Sequence, residues 1–255
     1  MFFDILSLFP EKFHSFFRCG MLARAVQTGL IDYRLLHIRA YGEGNYRHVD
    51  DYPFGTGQGM LLKYSVMKKC LAAAGRGPVI LLSPRGQLLK QNTVNELSRK
   101  NRLVLVCGHY EGVDQRFINR YVDREIAIGD YVLSSGETAA MVLIEAVSRK
   151  LKTFMGNEKS AEEESFETGL LEYDQYTRPR EVDGMRVPRV LLSGDHHRIR
   201  QWNRLNALYN TYCCRPDLID NTKLTAKELK FLNDLQSGKK MTGEYNEYFD
   251  KKSRS

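Results

Sequence analysis

An α/β fold with a mostly parallel sheet is predicted by three features of this sequence. Short apolar runs recur at "FFDILSLF" (2–9), "PVILLS" (78–83), "RLVLVCG" (102–108) and "DREIAIGD" (123–130), each the length of a buried strand. Amphipathic helical spacing lies between or after them. The 255 residues are 42% hydrophobic and 27% charged, enough apolar material for one large core or two modest ones. Strands alternating with helices imply crossover connections, and crossovers imply parallel pairing.

Taken in order, "FFDILSLF" alternates poorly but is short and apolar, as a strand covered on both faces is. "EKFHSFF" reads as a helix started after Pro10. Between the second and third strands, "LLKQNTVNELSRK" (88–100) puts Leu89, Val94 and Leu97 on one helical face. After the fourth strand, Ser135 is placed to cap a helix through "GETAAMVLIEAVSR", with Ala140, Met141, Ile144 and Val147 facing inward. Residues 1–155 therefore form the α/β domain.

From 156 to 175 the periodicity fails and carboxylates accumulate, including Glu162, Glu163 and Glu164; this stretch is expected to be a flexible linker. Residues 176–236 are expected to form a small helical domain. Its first helix spaces Ile199, Trp202, Leu205, Tyr209 and Tyr212 on one face, with His197, Arg200 and Arg204 on another. Its second, "LTAKELKFLNDLQ", carries a Thr225–Glu228 capping box. The polar tail 237–255 is expected to fray.

The formal charge of +7 suits a phosphate-rich partner, although composition does not separate a nucleic-acid binder from other basic proteins. Five cysteines without CxxC or metal-ligand spacing imply a reducing, cytoplasmic compartment, with adjacent Cys213 and Cys214 expected as buried free thiols on a helix. Asp4 and Pro10 interrupt the apolar N-terminus, so no signal peptide is expected, and no apolar run is long enough to span a membrane.

Chemistry is expected at three loops on the carboxyl ends of strands: "LLSPRG" (81–86), "CGHYEG" (107–112) and "IGDYVLSSGE" (128–137). Ligands of open α/β sheets bind there. Glycines in these loops let main-chain groups approach a planar, adenine-type ring. Singly, each is an ordinary strand-to-helix loop. The glycine-rich "DYPFGTGQGM" (51–60) matches neither GxGxxG nor a P-loop, which leaves a functional turn or a plain surface turn.

The stretches "SLFPEKF", "VDDYPFGTGQGM", "LVCGHYEGVDQR", "IGDYVLSSGE", "EAVSR", "SFETGLL", "YTRP" and "VPRVLLSGDHHRIRQW" fall in order along the chain. Together they resemble the bacterial tRNA (guanine-N1)-methyltransferases of the TrmD family over residues 1 to about 235. The resemblance implies a SPOUT-class sheet whose C-terminal part threads a deep trefoil knot, an arrangement that pattern reading alone does not propose. It also implies S-adenosyl-L-methionine (AdoMet) as methyl donor, tRNA methylated at the guanosine just 3′ of the anticodon, and a homodimer with sites at the subunit interface. Assistance by Mg²⁺ is admitted; no transition-metal site is suggested.

Carried over by position, the resemblance puts the donor against Leu82, Pro84, Gly108, Tyr110, Glu111 and Gly112, and along Ile128, Gly129, Asp130, Tyr131, Val132 and Leu133 to Ser135 and Gly136. It implies substrate contacts from Asp50, Gly59, Glu111 and Asp114. The face carrying His197, Arg200 and Arg204 is expected to meet tRNA phosphates. Arg149 is the expected electrostatic stabiliser. Glu164 is the expected general base, in a position where the family usually has Asp. Other departures are Ser135 for a usual Gly, Ala139 for a usual Pro, and Thr56 and Gln58 for a Gly and a Pro.

Two rival readings stand beside this one. A knotted methyltransferase acting on a ribose hydroxyl or ribosomal RNA would share the donor loops without needing "SFETGLL" or the helical tail. A catalytically silent RNA-binding protein is favoured only by the exchange of Asp for Glu164.

Overall fold

The computed structural model describes residues 1–55, 59–155, 165–167 and 169–237. The chain divides into two compact units, Met1–Ala161 and Glu162–Ser255.

The first unit is α/β. Its strands β1 (Phe2–Ser7), β2 (Asp32–His37), β5 (Val79–Leu88), β6 (Arg102–Cys107) and β7 (Arg124–Ala127) form a five-stranded sheet in the order β2-β1-β6-β5-β7. Every pairing in it is parallel. A separate two-residue pair joins β3 (Asp50–Asp51) to β4 (Leu61–Leu62). Alternating side chains of each strand go to opposite faces. Phe3, Ile5, Ile80, Leu82, Leu103, Leu105 and Cys107 face one core, and Leu6, Val79, Leu81, Val104 and Val106 face the other.

Helices cover both faces. Helices α1 (Lys12–Phe16), α2 (Gly20–Gln27), α4 (Gln91–Leu97) and α6 (Glu137–Arg149) bury Phe13, Leu22, Val94, Leu97, Leu143, Ile144 and Val147 on the first. Helices α3 (Tyr64–Ala72) and α5 (Gln115–Tyr121) bury Val66, Met67, Cys70 and Phe117 on the second. Coverage on both sides is why the central strands read as unbroken apolar runs.

Asp4 is fully buried and accepts from Arg34 Nε at 2.7 Å, from the Gly75 amide at 2.9 Å and from Arg102. Burial alone would raise this carboxyl, but the bonds from Arg34, Gly75 and Arg102 together hold it below the usual aspartate range.

Several expectations are corrected here. Strand β5 does not stop at Ser83. Its pairing with β7 breaks after Leu82 and resumes at Gln87 and Leu88, so residues 83–86 bulge out as a loop. Leu89 lies outside α4, its amide bonded to the Ala127 carbonyl at 2.8 Å. Gly136, not Ser135, is the N-cap residue of α6; Ser135 is buried and its hydroxyl accepts from Lys12 Nζ at 3.2 Å.

The second unit contains a short hairpin, β8 (Glu181–Val182) with β9 (Met185–Arg186), and helices α7 (His196–Cys214) and α8 (Ala226–Gln236). Leu170, Leu205, Leu208, Phe231 and Leu232 form its core. The capping box is present: Glu228 N donates to Thr225 Oγ1 at 3.3 Å, and Thr225 N donates to Glu228 Oε2 at 2.7 Å. The end of the expected linker is docked rather than free. Leu170 is buried, Leu171 N donates to Thr211 Oγ1 at 2.9 Å, and Asp174 N donates to Asn206 Oδ1 at 2.6 Å. Cys213 and Cys214 are exposed, not buried, because they end α7 beyond its packed stretch.

Candidate active site

A cavity of about 340 Å³ opens at the carboxyl ends of β5, β6 and β7, within the range of small-molecule sites. The three glycine-bearing loops wall it. Every expected donor-binding residue except Asp130 lines it, and Ser83, Arg85, His109, Glu125 and Ser134 do so as well.

Backbone bonds fix the loops to one another. Gly136 N donates to the Gly108 carbonyl at 2.8 Å, so the turn into α6 lies directly on the end of β6. A side chain at Gly136 would put its Cβ 2.7 Å from Gly108 N and 2.8 Å from Cys107 Cα, both backbone, so only glycine fits. On the other side, Glu111 N donates to the Met60 carbonyl at 3.0 Å and Leu62 N to the Gly112 carbonyl at 2.9 Å.

Beside the cavity the structure groups several of the expected substrate residues. The Glu111 side chain lies across Gly59, where an added Cβ would come within 2.6 Å of Oε1. Tyr110 adopts a left-handed φ of 57°. Burial pushes its hydroxyl above the ordinary tyrosine range; Asp50 adds to the rise, and Arg39 opposes it. Arg39 joins this cluster from the 3-10 turn after β2 and had no signal in sequence.

Other residues take different places. Asp114 caps α5, accepting from Arg116 N and Nε, each at 2.9 Å, and Arg116 draws its carboxyl below the usual aspartate range. Arg149 is half-buried at the last residue of α6, the helix whose first residue adjoins the cavity. Thirteen residues at 1.5 Å each separate those ends by about 20 Å. In the second unit, His197 and Arg200 are exposed, whereas Arg204 is bound to Glu228. Glu164 lies outside the described residues.

Below the cavity floor, burial pushes the Cys107 thiol well above its ordinary value, with the Glu137 carboxylate adding to the rise, so it is an inert core thiol. Among the described residues there is no cluster of three or more His, Cys, Asp or Glu side chains able to hold a metal ion. The cavity lining combines apolar Leu82, Ile128 and Leu133 with glycines 108, 112, 129 and 136 and with polar side chains such as Glu111 and Ser135. That combination suits a planar heterocycle recognised along its rim.

The fold and this cavity define a class: parallel α/β proteins that take a small ligand outside the strand ends at glycine-bearing loops. The family model described as "tRNA (Guanine-1)-methyltransferase TrmD" matches residues 1–221, and the chain belongs to that family. A relative from Moorella thermoacetica is 46% identical over 238 residues, covering 91% of this chain and 95% of its own. One from Dictyoglomus turgidum is 46% identical over 235 residues, with coverages of 91% and 96%. One from Actinobacillus succinogenes is 43% identical over 242 residues, with coverages of 93% and 99%. All three are named tRNA (guanine-N(1)-)-methyltransferase.

Proposed function

We infer that the protein methylates N1 of the guanosine immediately 3′ of the anticodon in tRNA, with AdoMet as donor. The observation that carries this reading is the cavity at the ends of β5, β6 and β7, whose lining includes nearly all the residues expected to hold the donor. Bound there, AdoMet supplies an electrophilic methyl group on a sulfonium that leaves as a neutral thioether.

The chain's own residues supply position and proton transfer. Guanine N1 carries a proton at neutral pH, and that proton must leave as the N1–methyl bond forms and the carbon–sulfur bond breaks. Glu164 is the proposed acceptor, assigned by its register before Ser165 and Phe166. Arg149 is the proposed cation stabilising charge that develops on O6. Holding N1, methyl carbon and sulfur in line contributes much of the remaining acceleration. Because N1 lies on the Watson–Crick edge, the target base must be unpaired or splayed out, as in an anticodon loop.

The length of α6 supports a homodimeric site. If its amino end adjoins the donor, its own Arg149 is about 20 Å along the helix, and a second copy is the natural source of that cation. We further propose a trefoil knot through the 83–86 and 128–136 loops, a tRNA-binding role for the helical second domain, and action in the cytoplasm. Among the described residues, no helix is long and apolar enough to cross a membrane. Any Mg²⁺ contribution would enter with the substrates.

Radiolabelled methyl transfer to unmodified tRNA, followed by nucleoside analysis, tests this reading. N1-methylguanosine is the expected product, lost when the target guanosine is replaced by adenosine. A 2′-O-methyl product would indicate a ribose methyltransferase. Donor binding without any transfer would indicate a silent RNA-binding protein.

A further inference from the structure

We propose that Lys12 is a positioning residue for the methyl donor, acting through Ser135 as a strap that holds two of the donor loops together from behind. Lys12 begins α1 and does not line the cavity. Its ammonium donates to Ser135 Oγ at 3.2 Å and lies 4.0 Å from Glu137 Oε2. It also lies 5.4 Å from the centre of the Phe9 ring, a cation–π distance. Phe9 packs at 5.3 Å against His109, which lines the cavity from the loop after β6. Ser135 lines it from the loop after β7. One cation therefore bridges both loops.

Two buried groups depend on that cation. Ser135 is 8% exposed, and a buried hydroxyl requires a partner. Glu137 is 0% exposed; Ser7 Oγ donates to its Oε1 at 2.6 Å, while Oε2 has no hydrogen-bond partner. The ammonium 4.0 Å from Oε2 is the compensating charge for this buried carboxylate. Glu137 is also the first residue of α6, so the strap fixes the start of the helix that closes the cavity floor. The Ser135 hydroxyl is the group through which Lys12 reaches the loop.

The inference rests on the donor reading of the cavity, and the experiment separates the two. AdoMet affinity is measured by calorimetry, and kcat and both KM values by methyl transfer, for the unaltered protein, Lys12→Met, Lys12→Arg, Ser135→Gly and the Lys12→Met/Ser135→Gly double variant. Lys12→Met should weaken AdoMet binding and raise its KM about tenfold, the size of one charge-assisted hydrogen bond. The KM for tRNA should stay unchanged. Lys12→Arg should recover most of the loss. Ser135→Gly, which leaves Glu137 its cation, should weaken AdoMet several-fold in a fully folded protein. The double variant should be no worse than Lys12→Met, because both changes break one contact. Unchanged AdoMet affinity in Ser135→Gly and Lys12→Met, or fully additive losses in the double variant, would overturn the strap alone. Absence of AdoMet binding by the unaltered protein would overturn the donor reading and the strap with it.

Discussion

Arg204 Nε donates to Glu228 Oε1 at 2.6 Å, tying α7 to the capping box of α8. Sequence periodicity groups Arg204 with His197 and Arg200 as one basic face, but only the latter two are exposed. The two arginines should therefore behave differently. Arg200→Ala should lower the salt slope of tRNA binding by roughly 0.7 while leaving thermal stability unchanged. Arg204→Ala should destabilise the protein by about 1–3 kcal/mol by leaving Glu228 without its cation. Salt-dependent binding and thermal melts on both variants check this.

The same pair predicts a pH dependence. Burial opposes ionisation of Glu228, yet the bonds from Arg204 and Thr225 prevail and its carboxyl lies below the ordinary value of 4.5. A depressed folded-state pKa means stability present above that value and lost as pH falls through the folded one. Asp4 has the same sign. Stability should be flat from neutrality down to about pH 5 and then fall, less steeply in Glu228→Gln. Asp4→Asn should cost about 3 kcal/mol, since it leaves two arginines facing a neutral group. Denaturant titrations at several pH values provide the measurement.

Gly129 is pressed against the Tyr131 ring, where a Cβ would sit 2.2 Å from Cε1. Gly129→Val should displace that ring into the donor space and weaken AdoMet at least tenfold while the protein remains folded. Calorimetry showing unchanged affinity would remove this loop from the donor site.

If Arg149 and Glu164 act from different subunits, an inactive Arg149→Ala protein mixed with an inactive Glu164→Gln protein should regain activity. Each verified heterodimer then contains one intact site, so about half of the native rate per dimer is expected. No recovery would mean that both residues act from one subunit.

The sequence was most legible where burial is two-sided. Strands β1, β5 and β6 announce themselves because both faces meet helices, and β7, at the opposite sheet edge from β2, shows through its buried Ile126 and Ala127. The edge strand β2 does not, since "DYRLLH" alternates exposed and partly buried side chains along a partner-free edge. Helices α2, α3 and α5 went unread although they are no shorter than α1 and α4, so length does not account for the difference. The donor loops were readable from glycine placement after strands. Contacts joining residues far apart in the chain, such as Ser7 with Glu137 or Tyr110 with Asp50 and Arg39, have no local signature. Asp114, expected at the substrate, also caps α5, a local role that its sequence neighbours did not signal.

Proton removal from guanine N1 by Glu164 is tested most directly by single-turnover methyl transfer. Saturating AdoMet and unmodified tRNA are used, N1-methylguanosine is quantified, and Glu164→Gln is compared with the unaltered protein. The variant should bind both substrates within about twofold of the parent yet transfer the methyl group about a hundredfold or more slowly, the usual scale of a positioned base. Transfer at the parental rate by Glu164→Gln would contradict this assignment and shift the search for the base to Asp50 or Glu111.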